Sequence, residues 1–117
     1  MLNREQLQDL VVNAIEDVKG VDIRVFNVQD KSSVTDIMIV ASGNTARQVK
    51  ALADNVIEKA KHAGVQPLGV EGEVHGEWAL VDLGDIVVHI MQPAIRDFYN
   101  LEKLWGEDSP AAAQKQQ

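Results

Sequence analysis

Cysteine is absent from this chain. That absence removes disulfide scaffolds, iron–sulfur clusters, thiolate zinc sites and cysteine nucleophiles, and it fits a reducing compartment. Long hydrophobic runs are missing too. The longest uninterrupted one, Ile37-Met38-Ile39-Val40-Ala41, is five residues, against the ~20 that a bilayer-spanning helix needs. The first residues, Met1-Leu2-Asn3-Arg4-Glu5, carry neither the apolar block of a signal peptide nor the acid-poor, Arg- and Ser-rich pattern of a transit peptide. These absences point to a cytoplasmic protein without membrane contact. No internal repeat, dinucleotide fingerprint, phosphate loop or nucleophile elbow occurs in the sequence, which weakens the case for an enzyme.

What is present is one domain's worth of chain. The 117 residues bury roughly two thirds of their unfolded surface on folding, enough for a core without staples. The net charge is −7, and it is unevenly placed. Residues 1–70 are nearly balanced. Residues 71–108 hold nine acids (Glu71, Glu73, Glu77, Asp82, Asp85, Asp97, Glu102, Glu107 and Asp108) against Arg96 and Lys103. Such a surface repels phosphate backbones, so no sequence-specific nucleic-acid binding is expected there. It attracts basic proteins, and solubility is the plainer alternative.

Periodicity gives the order α-β-β-α-β-β-β-α. Asn3, with Gln6 at the reciprocal capping position, opens a first helix that carries Leu7, Leu10, Val11, Ala14, Ile15 and Val18, and Gly20 ends it. Val21, Ile23 and Val25 alternate with Asp22 and Arg24, as in a strand with one wet face. Residues 29–33 form a polar loop. Residues 35–41 are apolar except for Asp36, as in a central strand covered on both faces. Ser42-Gly43-Asn44-Thr45 leads into a second helix that Gly64 ends, and residues 65–70 complete a βαβ crossover or supply one short strand. Residues 77–91 form a hairpin about Leu83-Gly84, and Pro93 opens a helix running to Trp105. The sequence therefore predicts an α/β fold: a single domain over 1–106, with a mixed sheet of about five strands and helices packed on it. Residues 107–117 are expected to be disordered.

With Leu83-Gly84 as the turn, Asp82 faces Asp85, Leu80 faces Val87 and Trp78 faces His89. One face of the hairpin (Ala79, Val81, Ile86, Val88, Ile90) is aliphatic and reads as core. The other mixes Trp78, Leu80, Asp82, Asp85, Val87, His89 and Met91. An apolar patch rimmed by acids fits a protein-binding surface, and a covering helix of the same domain is the alternative. On the last helix Phe98 is expected inward and Tyr99 outward. Arg96, in the first turn after Pro93, is a cation where the helix dipole disfavours one. It points to a carboxylate from outside that helix or from another chain. His62, His75 and His89 have no ligand spacing, so no metal or other cofactor is expected. The rival reading is a small nucleotidyl- or phosphoryl-transfer enzyme using Ser42-Gly43 with Asp82 and Asp85.

Four blocks then carry a family resemblance: Asp36-Ile37-Met38-Ile39-Val40-Ala41-Ser42-Gly43; Arg47-Gln48-Val49; residues 78–90, from Trp78 to Ile90; and residues 96–105, from Arg96 to Trp105. In this order they resemble the ribosomal silencing factors, also called RsfS or Iojap. The resemblance covers roughly residues 3–106. It implies a nucleotidyltransferase-like topology without the catalytic acids, hence no enzyme. It implies binding to the large ribosomal subunit at ribosomal protein fourteen, which blocks joining of the small subunit and represses translation when nutrients are scarce. By resemblance, Trp78, Asp82, Met91, Arg96 and Tyr99 match partner-facing positions, and Leu80 joins them from the hairpin face. The free protein as a homodimer through that face stays open. The resemblance is to members without an organellar targeting extension, so a bacterial protein is expected.

The tail lacks apolar periodicity. Truncation after Gly106 is expected to leave both the melting temperature and ribosome binding as in the full chain; lost binding would reveal a contact segment in residues 107–117.

Overall fold

The computed structural model describes residues 2–29 and 35–99, with the side chains of Phe98 and Tyr99 left out. The elements are α1 (Arg4–Asp17), β1 (Val21–Asn27), β2 (Ile37–Ser42), α2 (Ala46–His62), β3 (Gly69–Glu71), β4 (Trp78–Asp82), β5 (Ile86–Met91) and α3 (Pro93–Tyr99). The expected element order and the single mixed five-stranded sheet are both present. Most of the loop at 29–33, the continuation of α3 to Trp105 and the tail 107–117 lie outside the described residues.

Both long helices start where the sequence places them. The Asn3 side chain accepts from the Gln6 N–H at 2.7 Å, and the Gln6 side chain accepts from the Asn3 N–H at 3.0 Å, a reciprocal cap. Thr45 Oγ1 accepts from the Gln48 N–H at 3.0 Å and caps α2. α1 buries Leu7, Val11, Ala14 and Ile15; α2 buries Val49, Leu52, Ala53, Val56 and Ala60. Both stripes pack on Ile37, Ile39, Ala41, Ala79, Val81, Ile86, Val88 and Ile90 of the sheet, and this is the main core. A smaller core of Val28, Met38, Val40 and Met91 lies on the other face, with Phe26, Trp78 and Ile95 packed against it.

The strand order is β1-β2-β5-β4-β3, with β2 and β5 parallel and every other pair antiparallel. The expected crossover from β2 through α2 therefore finds its parallel partner in β5, not in residues 65–70. That stretch gives only β3, a three-residue edge strand against β4. The reason is burial on two faces. Every residue of β5 is buried, so β5 takes the centre, whereas Val70 of β3 stays 37% exposed and suits an edge.

Two further expectations are corrected. β1 does not alternate evenly: three residue steps from Val21 to Arg24 oppose two on β2, a bulge at which Asp22 takes φ +54°. Ile23 packs on the main core and Phe26 turns to the smaller one, while Val21 and Val25 remain open on the edge. In the hairpin the two-residue loop is Gly84-Asp85, not Leu83-Gly84. The Leu83 N–H donates to the Ile86 carbonyl at 2.8 Å, and Gly84 has φ +93°. A type II′ turn needs positive φ at its first central residue, so glycine has to lead the loop rather than close it. Trp78 then faces Met91, Leu80 faces His89 and Asp82 faces Val87. Moving the turn by one residue shifts the register by two, so the membership of each face survives, and Asp82 no longer confronts Asp85.

Val88 is fully buried in the main core. Val88→Ala is expected to lower the unfolding free energy by about 2 kcal/mol, read from urea titration, through lost burial and a residual cavity.

Candidate partner-binding face

The strand registers lay out the sheet face turned away from α1 and α2. One row runs Glu71, Leu80, His89, Val40 and Arg24 across the five strands from β3 to β1; a second contains Asp82, Val87, Met38 and Phe26. A third holds Trp78, Met91 and Ser42. The rows grade from buried to open. Met38, Val40, Val87, His89 and Met91 on the two central strands are buried, whereas Trp78, Leu80 and Asp82 on β4 are each half-buried. β4 is thus open to solvent on this face, as are Arg24 and Phe26 of β1 and Glu71 of β3.

Trp78 is anchored by a polar contact. Its indole Nε1–H donates to His89 Nδ1 at 2.9 Å, with ring centroids 5.8 Å apart and planes tilted by 50°. His89 is only 7% exposed, and burial lowers its pKa from 6.5 to about 4. The imidazole is therefore neutral at physiological pH, with Nδ1 free to accept. The indole is held at one end by this bond and by Met91 and its neighbours in the smaller core.

The residues singled out in the sequence separate into two layers. Trp78, Leu80 and Asp82 keep open surface. Met91 is fully buried and Arg96 only 5% exposed, so both lie beneath that surface. The Tyr99 side chain lies outside the described residues. Asp82 also braces the turn, where its carboxylate accepts from the Gly84 N–H at 2.9 Å. Arg96 Nη1 donates to Ser42 Oγ at 2.9 Å and lies 3.7 Å from Asp22 Oδ2. The carboxylate from outside α3 that Arg96 required is thus Asp22 of β1. Sequence reasoning did not single out Asp22, though the misplaced cation was its signal. Glu71 was missed for want of a readable β3 pairing.

The groups of the rival enzyme reading are not together. Ser42 ends β2, and Asp85 precedes Ile86, which pairs with Ile37 at the other end of the strand. Five residue steps separate the two ends, roughly 16 Å of strand. Ser42 Oγ is engaged by Arg96. Among the described residues no group of three or more His, Asp or Glu could hold a metal ion, and no described helix is long and apolar enough to cross a membrane.

Both the sequence and the fold match known proteins. The profile of the family described as "Ribosomal silencing factor during starvation" matches residues 2–117. A Chromobacterium violaceum protein named ribosomal silencing factor RsfS is 49% identical over 109 residues, covering 93% of this chain and 89% of that one. A crystal structure of a C. violaceum protein superposes with a TM-score of 0.89 at 48% identity, covering 93% of this chain and 91% of the other. A mouse protein named "Mitochondrial assembly of ribosomal large subunit protein 1" is 31% identical over 100 residues, covering 83% of this chain and 44% of its own length.

The buried imidazole gives a pH signature. Folding holds His89 neutral, with a pKa of about 4, while the unfolded chain takes up a proton below about 6.5. The stability it confers is present in full above pH 6.5 and is lost as pH falls towards 4, by roughly 3 kcal/mol across that window. Melting temperatures measured from pH 7 to 4 should fall more steeply for the wild type than for His89→Gln, which has no such proton to gain.

Proposed function

The chain belongs to the ribosomal silencing factor family, and on that premise we propose that it is a non-catalytic cytoplasmic protein that docks on the large ribosomal subunit through ribosomal protein fourteen. Seated there, its bulk keeps the small subunit from joining, and translation is repressed when nutrients are scarce. The observation that carries this reading is the half-open strip Trp78, Leu80 and Asp82 on β4, with Glu71 beside Leu80 on β3. A rigid indole flanked by aliphatic surface supplies contact area at low entropic cost. The acids of residues 71–108 supply long-range attraction for a basic ribosomal protein and keep the strip clear of bare RNA. A relative named for assembly of the ribosomal large subunit supports that subunit as the target.

The two layers divide the work. Trp78, Leu80 and Asp82 make contact. Met91 is the floor under the indole, and Arg96 ties α3, the helix that carries Tyr99, to the sheet. Nothing in this arrangement requires a cofactor: the partner is recognised by shape, apolar area and charge.

Sedimentation with separated ribosomal subunits on sucrose gradients tests the reading. The protein should travel with the large subunit and not the small one. Trp78→Ala should weaken that association by about thirtyfold, a typical hot-spot loss. Because Trp78 also packs on the smaller core, its melting temperature is measured in parallel, and Leu80→Glu serves as a second variant with less packing to lose. Wild-type affinity in both variants would place the docking surface elsewhere.

A further inference from the structure

Asp22 holds an unusual backbone position. It sits in the β1 bulge at φ +54°, the left-handed region that costs a residue with a Cβ and that aspartate tolerates better than most. Such an outlier persists only where its surroundings hold it. Two guanidinium groups do so here: Arg24 Nε lies 3.5 Å from Oδ1 and Arg96 Nη1 3.7 Å from Oδ2.

Arg96 explains the need. Its side chain is 5% exposed, and a charge taken that far out of water requires a counter-charge. The hydroxyl of Ser42, 2.9 Å from Nη1, accepts a hydrogen bond but carries no charge to balance it. Asp22 brings one from the edge strand, and its side chain is 58% exposed. The chain β1–Asp22–Arg96–Ser42–β2 therefore fastens α3, which carries Arg96, to the C-terminal end of β2. Ile95, one residue earlier, sits on the smaller core.

We propose that Asp22 is a positioning residue: its carboxylate, presented on the left-handed bulge, keeps Arg96 on Ser42 and so fixes α3 beside the partner-binding strip. The clamp stands on these contacts alone; its effect on docking rests on the reading of the previous subsection. One end of the clamp is in water, so added salt screens it.

The experiment is amide hydrogen exchange of residues 95–99, read together with affinity for the large subunit, in the wild type, Asp22→Asn and Asp22→Gly. Asparagine keeps the tolerance for positive φ and removes the charge; glycine relieves the backbone and removes the carboxylate. Both should exchange about fivefold faster at these amides, the scale of a partly exposed ion pair. Exchange in the wild type should quicken with salt, and exchange in the variants should not. In Asp22→Gly exchange at residues 95–99 should rise more than exchange at the amides of β2 and β5, a local loosening that general destabilisation does not produce. Affinity should fall by a similar factor. Unchanged exchange in Asp22→Asn would overturn the clamp, whatever the affinity does. Faster exchange with full affinity would overturn the placing of α3 in the docking surface.

Discussion

The β2–β5 parallel pair sets the terms for the rest of the molecule. Both strands are buried along their whole length, so the sheet needs a cover on each face. α1 and α2 meet that need on one side with long apolar stripes. On the other side the described residues give a thinner cover: Phe26 and Val28 around the end of β1, Ile95 from α3, and Trp78 leaning in from β4. The thinness of this second layer is what leaves the β4 strip partly in water. A full helical layer there would make a better-buried sheet and a poorer surface for another protein.

Trp78 joins the two layers. The indole contributes apolar area to the smaller core and commits its one donor to the buried His89. Its ring plane is thereby set before any partner arrives, so little rotamer freedom is left to lose on binding. The same bond makes the imidazole a structural acceptor, and burial keeps it in the neutral form that accepting requires. Under the proposed docking, recognition and stability share a side chain, and the two effects separate only when affinity and melting are measured together.

Local signals in the sequence were dependable where a single segment decided the outcome. The Asn3–Gln6 cap, the Thr45 cap, the two-sided burial of β2 and the aliphatic face of Ala79, Val81, Ile86 and Val88 all follow from residues near one another in the chain. The misreadings arose where distant segments compete. Which strand lies beside β2 depends on how β5 and residues 65–70 rank for burial, and the shorter, wetter stretch loses. The bulge at Asp22 answers to Arg96 on a different element, 74 residues along the chain, so no window around β1 could reveal it. The hairpin register turned on which residue must take positive φ, and Gly84 settles it. The face assignment survived that error because a two-residue shift preserves the alternation. Of the site residues, Trp78, Leu80 and Asp82 were legible as one face; that Met91 and Arg96 lie beneath it was not, since depth depends on what the second layer covers.

The two borders of the sheet carry one more consequence. An open strand edge invites a neighbouring chain to add itself, and long flat edges grow into aggregates. Here β1 is kinked by its bulge and carries Asp22 and Arg24, while β3 is three residues long and ends in Glu71. Neither border offers a straight run of unpaired amides to a second copy. The strip proposed for docking lies on the face of the sheet, apart from the two edges where strand-to-strand polymerisation would begin.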